Sequence, residues 1–400
     1  MQTISYITLN FFFLVQNLIL YLICLGREGN NKNILIYRAS TLGDFIFSIP
    51  AQKKLRKKFP ESRITLLSGI SLSNSDYKQD MSDLPWVNIV HPNVIDKFIA
   101  LPYGNIFKKI KTLRRKYTFS EFDSAVILMH SNTTFKSLFL QVLFLRLIGV
   151  RTKIFGPKMY SNMHFMSSYQ YQKGMLKHSV EGPLFSLKNL LKENESSITS
   201  DISFDLKNDF KIQSRLQAEF SKLKNSSKRK IFISAGGIKE HKRWPAINFI
   251  ELLKKLDSFE SLDFIFIGLE SDYEISNEII NVAGVKGVNL AGKTNIFDTI
   301  EILKLGDLLI TNDGGSAHLA SISGCKTISI MNGVRFKGIN EPYHSRNFAI
   351  YPTTNEYPCQ EFLLLGSCSC KNKICRELHY KSMKSITTES VFNMSKKCLK

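Results

Sequence analysis

The chain is expected to fold as an α/β protein, two Rossmann-like, doubly wound domains facing a central cleft. Three observations carry that expectation. Short apolar runs suited to buried parallel strands alternate with helical stretches over most of the chain. Two such runs, residues 33–37 and 307–310, end in Gly-containing turns that open helices: Ser40-Thr41-Leu42-Gly43-Asp44 and Thr311-Asn312-Asp313-Gly314-Gly315-Ser316-Ala317-His318. A strand that feeds a helix through such a turn offers free backbone N–H groups and a positive dipole end to an anionic ligand. Finally, 400 residues exceed what one hydrophobic core usually serves, so two domains are expected.

In the first half, a strand over 33–37 leads through the Gly43 turn to a helix over 44–59. Pro60 ends that helix ahead of a strand at 63–67, which makes a right-handed βαβ unit with parallel strands. A buried strand follows at 124–129, then a helix over 138–148 and a short strand at 153–156. The polar stretch 192–230, rich in Lys and Ser, reads as a connection with one amphipathic stretch over 209–223. The second half brings strands at 230–234, 263–268, 288–290, 308–310 and 327–330, with helices over 245–256, 273–282 and 296–304 and one after Asp313. The expected organisation is an N-terminal extension (1–29), a first Rossmann-like domain (30–190), a connection (191–229) and a second Rossmann-like domain (230–400). Ligands of such sheets bind beyond the carboxyl ends of the strands, where both glycine turns lie.

Lys and Arg number 54 against 34 Asp and Glu, a formal charge of +20. That excess predicts anionic partners: a membrane surface, phosphorylated substrates or nucleic acid. No nucleic-acid recognition signature is present, so nucleic acid is not expected as a partner. Two basic clusters stand out, Lys53-Lys54-Leu55-Arg56-Lys57-Lys58 and the stretch 108–116 with Arg114 and Arg115. The first reads equally well as the solvated face of a helix or as a surface for an anionic acceptor or membrane. Residues 4–25 form an uncharged apolar stretch, about long enough to span a bilayer as a helix. It lacks the basic start and small-residue cleavage site of a signal peptide. It reads as a membrane anchor, or as a start codon placed too early.

The seven cysteines, an odd number scattered through a large chain, argue for a reducing compartment. Cys359, Cys368, Cys370 and Cys375, with His379 nearby, lack the paired spacing of a structural zinc site. No metal or cofactor is expected.

The stretches Arg38-Ala39-Ser40-Thr41-Leu42-Gly43-Asp44 with Ser48-Ile49-Pro50-Ala51, Lys242-Arg243-Trp244-Pro245, Asn289-Leu290-Ala291-Gly292-Lys293-Thr294, and Thr311 to His318 with Leu319-Ala320 stand in this order and spacing. Together they resemble glycosyltransferase family 9, the bacterial heptosyltransferases of lipopolysaccharide core synthesis, over roughly residues 33–390. The resemblance implies a GT-B fold and a metal-independent, inverting transfer of heptose from ADP-heptose to an anionic glycolipid at the cytoplasmic face of the inner membrane. It implies that Asp44 is the base. Lys242 would bind the donor diphosphate, Glu270 the ribose, and Thr294 would border the adenine. Asp313, Gly314, Gly315 and His318 would form the donor loop. Arg38, Thr41, Lys53, Lys54, Arg56 and Lys57 are acceptor-side candidates. Where some members carry hydroxyl residues for phosphate, this chain has Ala235-Gly236-Gly237-Ile238, so backbone N–H groups would have to serve. Two alternatives stay open: another nucleotide sugar on the same fold, and a non-catalytic nucleotide-sugar-binding module.

Overall fold

The computed structural model describes residues 2–69, 85–91, 93–102, 104–130, 134–158, 178–205, 209–237, 242–333, 337–354 and 373–400. Its internal contacts divide the chain into two compact units, Met1–Leu206 and Lys207–Lys400. The border falls inside the stretch read as a connection.

The first unit is built on β1 (Asn33–Ala39), β2 (Arg63–Gly69), β3 (Lys97–Ala100), β4 (Ser124–Ile127) and β5 (Ile154–Phe155), in the spatial order β3-β2-β1-β4-β5. Every pair is parallel, with Ile36 opposite Leu66 on one side and Val126 on the other. Ile34, Leu35, Ile36 and Tyr37 are all buried, the continuous apolar run expected of a strand covered on both faces. Around the sheet lie α1 (Gln2–Cys24), α2 (Leu42–Ile46), α3 (Ile49–Lys58), α4 (Ile106–Lys116), α5 (Phe135–Ile148), α6 (Glu181–Leu191) and α7 (Glu195–Ile198).

The single helix expected over 44–59 is instead two, α2 and α3. Pro50 falls in the first turn of α3, where its missing N–H costs nothing, but the same residue cannot continue α2. The junction is buried and bonded from within: the Ser48 hydroxyl donates to Phe45 O at 2.6 Å and accepts from Gln52 Nε2 at 2.8 Å.

The second unit carries β6 (Arg229–Ser234), β7 (Leu262–Phe266), β8 (Gly287–Asn289), β9 (Leu308–Asn312), β10 (Thr327–Ile330) and β11 (Asn347–Ile350) in the order β11-β10-β9-β6-β7-β8, again all parallel. Its helices are α8 (Gln217–Asn225), α9 (Ala246–Phe259), α10 (Tyr273–Ala283), α11 (Ile296–Leu303), α12 (Gly315–Ser323), α13 (Lys373–Lys384) and α14 (Thr388–Leu399). Trp244 anchors this core: its indole N–H donates to Ile386 O at 2.8 Å, and its ring stands edge-on to Phe249 with centroids 4.8 Å apart.

The N-terminal helix is part of the first unit. Leu20 and Cys24 of α1 are buried in the same apolar cluster as Val142, Leu145 and Ile148 of α5. The Arg146 guanidinium donates to Ile23 O at 3.2 Å and Leu25 O at 2.6 Å, fastening the end of α1 to α5. Among the described residues no helix is long and apolar enough to cross a membrane.

Candidate functional site

In each sheet the strand order reverses at one point, between β1 and β4 in the first and between β6 and β9 in the second. At such a point the loops leaving adjacent strands diverge and open a crevice at the carboxyl edge. The two glycine turns follow β1 and β9, so each stands at its sheet's switch point.

In the first unit, Thr41 is the N-cap of α2 and Asp44 lies in its first turn. Thr41 holds the N-cap position without a side-chain capping bond. The Thr41 hydroxyl donates to Asp44 Oδ2 at 3.1 Å. His130, just beyond β4, places Nδ1 3.6 Å from Asp44 Oδ1. Arg38, 2% exposed, holds the whole turn. Its Nη1 donates to Leu128 O at 2.7 Å, and its Nη2 donates to Asp44 O at 2.6 Å and lies 3.3 Å from His130 Nδ1. His130 Nε2 lies 3.3 Å from Ala39 O. This network assigns the proton to Nε2, facing a carbonyl, and leaves Nδ1 to accept from Arg38. Burial pulls the Arg38 guanidinium down to about 10 while Asp44 opposes the shift, so it stays charged at neutral pH. A half-exposed carboxylate between a hydroxyl, an imidazole and a buried guanidinium is a held proton acceptor.

In the second unit, Asn312 at the end of β9 ties the two switch-point loops together. Its side-chain amide donates to Ala235 O at 2.7 Å and Gly236 O at 3.1 Å, and its Oδ1 accepts from Trp244 N at 2.9 Å. Asp313 N donates to Ile330 O at 3.1 Å, and its carboxylate accepts from Asn332 Nδ2 at 2.6 Å. Gly314 is the N-cap of α12 in extended backbone, with Gly315 the first helical residue. The hydroxyls of Ser234 and Ser316 meet at 3.0 Å. His318, in the first turn of α12, is buried. The arrangement is a helix N-terminus whose first residues lack side chains to obstruct an anion.

Glycosyltransferase family 9 (heptosyltransferase) matches as a family model over residues 153–363, more than half of the chain. The chain belongs to this family. It is therefore a transferase, and its two parallel-sheet units are the GT-B architecture. Lipooligosaccharide heptosyltransferase 2 of Campylobacter jejuni subsp. jejuni serotype O:2 is 23% identical over 372 residues, 92% of this chain and 98% of that protein. The glycosyl transferase family 9 structure from Veillonella parvula superposes with a TM-score of 0.63 at 17% identity, covering 94% of this chain and 99% of that one. An E. coli heptosyltransferase solved with ADP-2-deoxy-2-fluoro heptose gives a TM-score of 0.57 at 12% identity, covering 91% and 99%.

Within this family member the remaining candidates divide. Glu270 is exposed at the carboxyl end of β7. It packs against Gly292 (φ +73°), where a Cβ would come within 2.8 Å of Glu270 Cα. That contact puts Glu270 beside the loop holding Thr294, whose hydroxyl accepts from Thr299 at 3.0 Å. Lys242 is half-buried, two residues before Trp244. The Gly237 loop is less open than the sequence suggests: Gly237 N is directed at Asp272 Oδ1 at 3.4 Å, and Arg243 Nε donates to Gly237 O at 2.8 Å. The Gly237 N–H is thus engaged within the protein.

The acceptor-side cations are mostly committed to the fold. Arg38 is buried under the Asp44 turn. Lys53 donates to Ser203 Oγ at 3.1 Å and to Asp205 O, and Lys54 pairs with Glu193 at 3.2 Å and donates to Ser197 O at 2.6 Å. Arg56 pairs with Asp96 and donates to Ser62 O at 2.8 Å, groups that precede β3 and β2. A helix that follows a strand's carboxyl end runs back toward the amino edge. Arg56 and the exposed Lys57 in the last turn of α3 therefore lie at the edge of the sheet opposite Asp44. Thr41 does reach Asp44.

The sequence reading missed His130, Asn312, Asn332 and Asp272. For His130 a signal existed: it directly follows a predicted buried strand, where a Rossmann-like sheet places ligand-facing groups. Of the cysteines, Cys24, Cys325 and Cys398 are buried free thiols, and burial pushes Cys24 and Cys325 up to about 12. Cys359, Cys368 and Cys370 lie outside the described residues, as do the side chains of Cys375 and His379.

Proposed function

We propose that this transferase moves a heptose from ADP-heptose onto an anionic lipopolysaccharide-core glycolipid, with inversion and without a metal ion, at the cytoplasmic face of the inner membrane. The observation that carries the reading is the carboxylate of Asp44 at one switch point, held by Thr41, Arg38 and His130. The name of the Campylobacter relative and the ADP-heptose analogue in the E. coli structure support the choice of sugar and donor.

The acceptor hydroxyl oxygen attacks the anomeric carbon from the side opposite the diphosphate. The new C–O bond forms as the bond to the diphosphate oxygen breaks, its electron pair leaves with ADP, and the hydroxyl proton passes to an Asp44 oxygen. Arg38 fixes the backbone of Asp44 from beneath, and Arg38 and His130 together hold the turn that aims the carboxylate. On the donor side the N-terminus of α12, presented by Gly314 and Gly315, faces the diphosphate, and Lys242 contributes a compact positive charge. His318 and Asp313 hold the sugar and phosphate side of that loop, while Glu270 and Thr294 serve ribose and adenine. Preformed donors of this kind stabilise the departing ADP without reorganisation.

Nucleoside diphosphate release from a panel of nucleotide sugars, measured in EDTA with lipopolysaccharide-core acceptor, tests the proposal. The expected result is ADP release from ADP-heptose that depends on the acceptor. Release from a different nucleotide sugar would overturn the donor, activity only after Mg²⁺ is restored would overturn metal independence, and silence from folded protein would favour a binding module.

A further inference from the structure

We propose that α1, α4 and α5 form an in-plane docking surface for an anionic phospholipid bilayer. α5 packs against both α1 and α4, so the three helices form one layer over the first sheet. Their outward sides are unusual for a water-facing layer. On α1, Leu14, Leu18, Tyr21 and Leu22 recur at helical spacing and are exposed, Leu18 by 57%. On α5, Leu140, Leu143 and Leu147 repeat at the same spacing and are exposed by 41–47%. Each stripe runs roughly 10–12 Å at 1.5 Å per residue, and neighbouring helices stand about 10 Å apart. Paired apolar stripes of that size mark an interaction site rather than the scattered exposure normal on a monomer.

The flank supplies the charge. α4 carries Lys108, Lys109, Lys111, Arg114, Arg115 and Lys116, and Phe107 at its start is 79% exposed. α1, α4 and α5 contain no Asp or Glu. An apolar strip beside a cationic helix, with no acidic residue on any of the three, is complementary to a bilayer surface with anionic headgroups. A protein partner would ordinarily be met by mixed charge around the rim. The orientation is also fixed. Leu20 and Cys24 face the core and Arg146 grips the end of α1, so the helix lies along the domain and its outer face enters the lipid interface. The charge excess thereby gains a place: α4 is the cluster that meets the membrane, and the cations of α3 are largely spent on internal bonds. This inference concerns binding alone and stands whether or not the transferase reading holds.

The test is co-sedimentation of the full chain with large unilamellar vesicles, either pure phosphatidylcholine or phosphatidylethanolamine with phosphatidylglycerol. Three proteins are compared: wild type, a Leu140→Gln/Leu143→Gln/Leu147→Gln variant, and a Lys111→Gln/Arg114→Gln/Arg115→Gln variant. All six positions are exposed, and thermal melts check that each variant is folded. Wild type is expected to bind the anionic vesicles much more tightly than the zwitterionic ones. The charge variant should lose on the order of a hundredfold, from about fivefold per cation near the surface, and the leucine variant at least tenfold. Absence of wild-type binding, or binding that both folded variants retain, would overturn the proposal. So would a concentration-dependent dimer dissolved by the leucine variant, which would assign the stripes to a second copy of the chain.

Discussion

Replacing Arg38 separates two roles that sequence alone confounds, a charge for an acceptor and a brace for the base. The side chain is buried, and it donates to Leu128 O at 2.7 Å and Asp44 O at 2.6 Å. Hydrogen bonds from a charged donor contribute about 1.5–3 kcal/mol each, so two give roughly 3–6 kcal/mol. Against this stands the cost of holding the charge out of water. Burial pulls the guanidinium from 12.5 to about 10, and at about 1.4 kcal/mol per pH unit that is roughly 3 kcal/mol. The difference predicts that Arg38→Met costs only about 2 kcal/mol, which lowers Tm by roughly 4–8 °C in a unit of this size. Arg38→Lys keeps a buried charge but lacks the fork that reaches both carbonyls, so it should be at least as destabilising as Met. Turnover should fall further than stability, by about 10- to 100-fold in both variants, because the Asp44 turn loses its brace. Calorimetry and steady-state ADP release give the two quantities. Wild-type stability and turnover in Arg38→Lys would refute the bracing argument, since charge alone would then suffice.

Three further outcomes follow from the same geometry. His130→Ala should lower kcat by about 10- to 100-fold and leave ADP affinity unchanged, read by turnover and calorimetric titration. Gly236→Ala should destabilise the second unit by about 2–3 kcal/mol in urea unfolding, because the new Cβ would lie 2.0 Å from the buried Asp272 carboxylate. Burial and Arg346 push His344 down from 6.5 to about 4. The unfolded chain therefore takes up this proton first, so stability is complete above pH 6.5 and falls as pH drops toward 4, by at most roughly 3 kcal/mol. Unfolding of His344→Gln across that range should lack this slope.

The alternation of strands and helices and both glycine turns are legible in the sequence because they are local: apolar runs, glycines and helix starts sit side by side in the chain. β3 and β11 are not, since Lys97–Ala100 and Asn347–Ile350 are four-residue edge strands whose pairing is decided by neighbours far away. The split of the first helix was written in Pro50 but outweighed by the apolar periodicity around it. His130 belongs to the site only because β4 lies beside β1, a fact of strand order. The partners of the α3 lysines are hidden from the sequence for a related reason: a lysine looks free until its partners fold against it, and here they come from Glu193, Ser197 and Ser203.

The central claim is that Asp44 takes the acceptor proton, and the most direct measurement compares wild type with Asp44→Asn. Acceptor-dependent ADP release from ADP-heptose in EDTA is followed beside calorimetric titration of ADP. Removing a positioned general base while keeping its size should lower kcat by about 10²–10⁴-fold with ADP affinity unchanged. An Asp44→Asn protein that turns over at the wild-type rate would contradict the account.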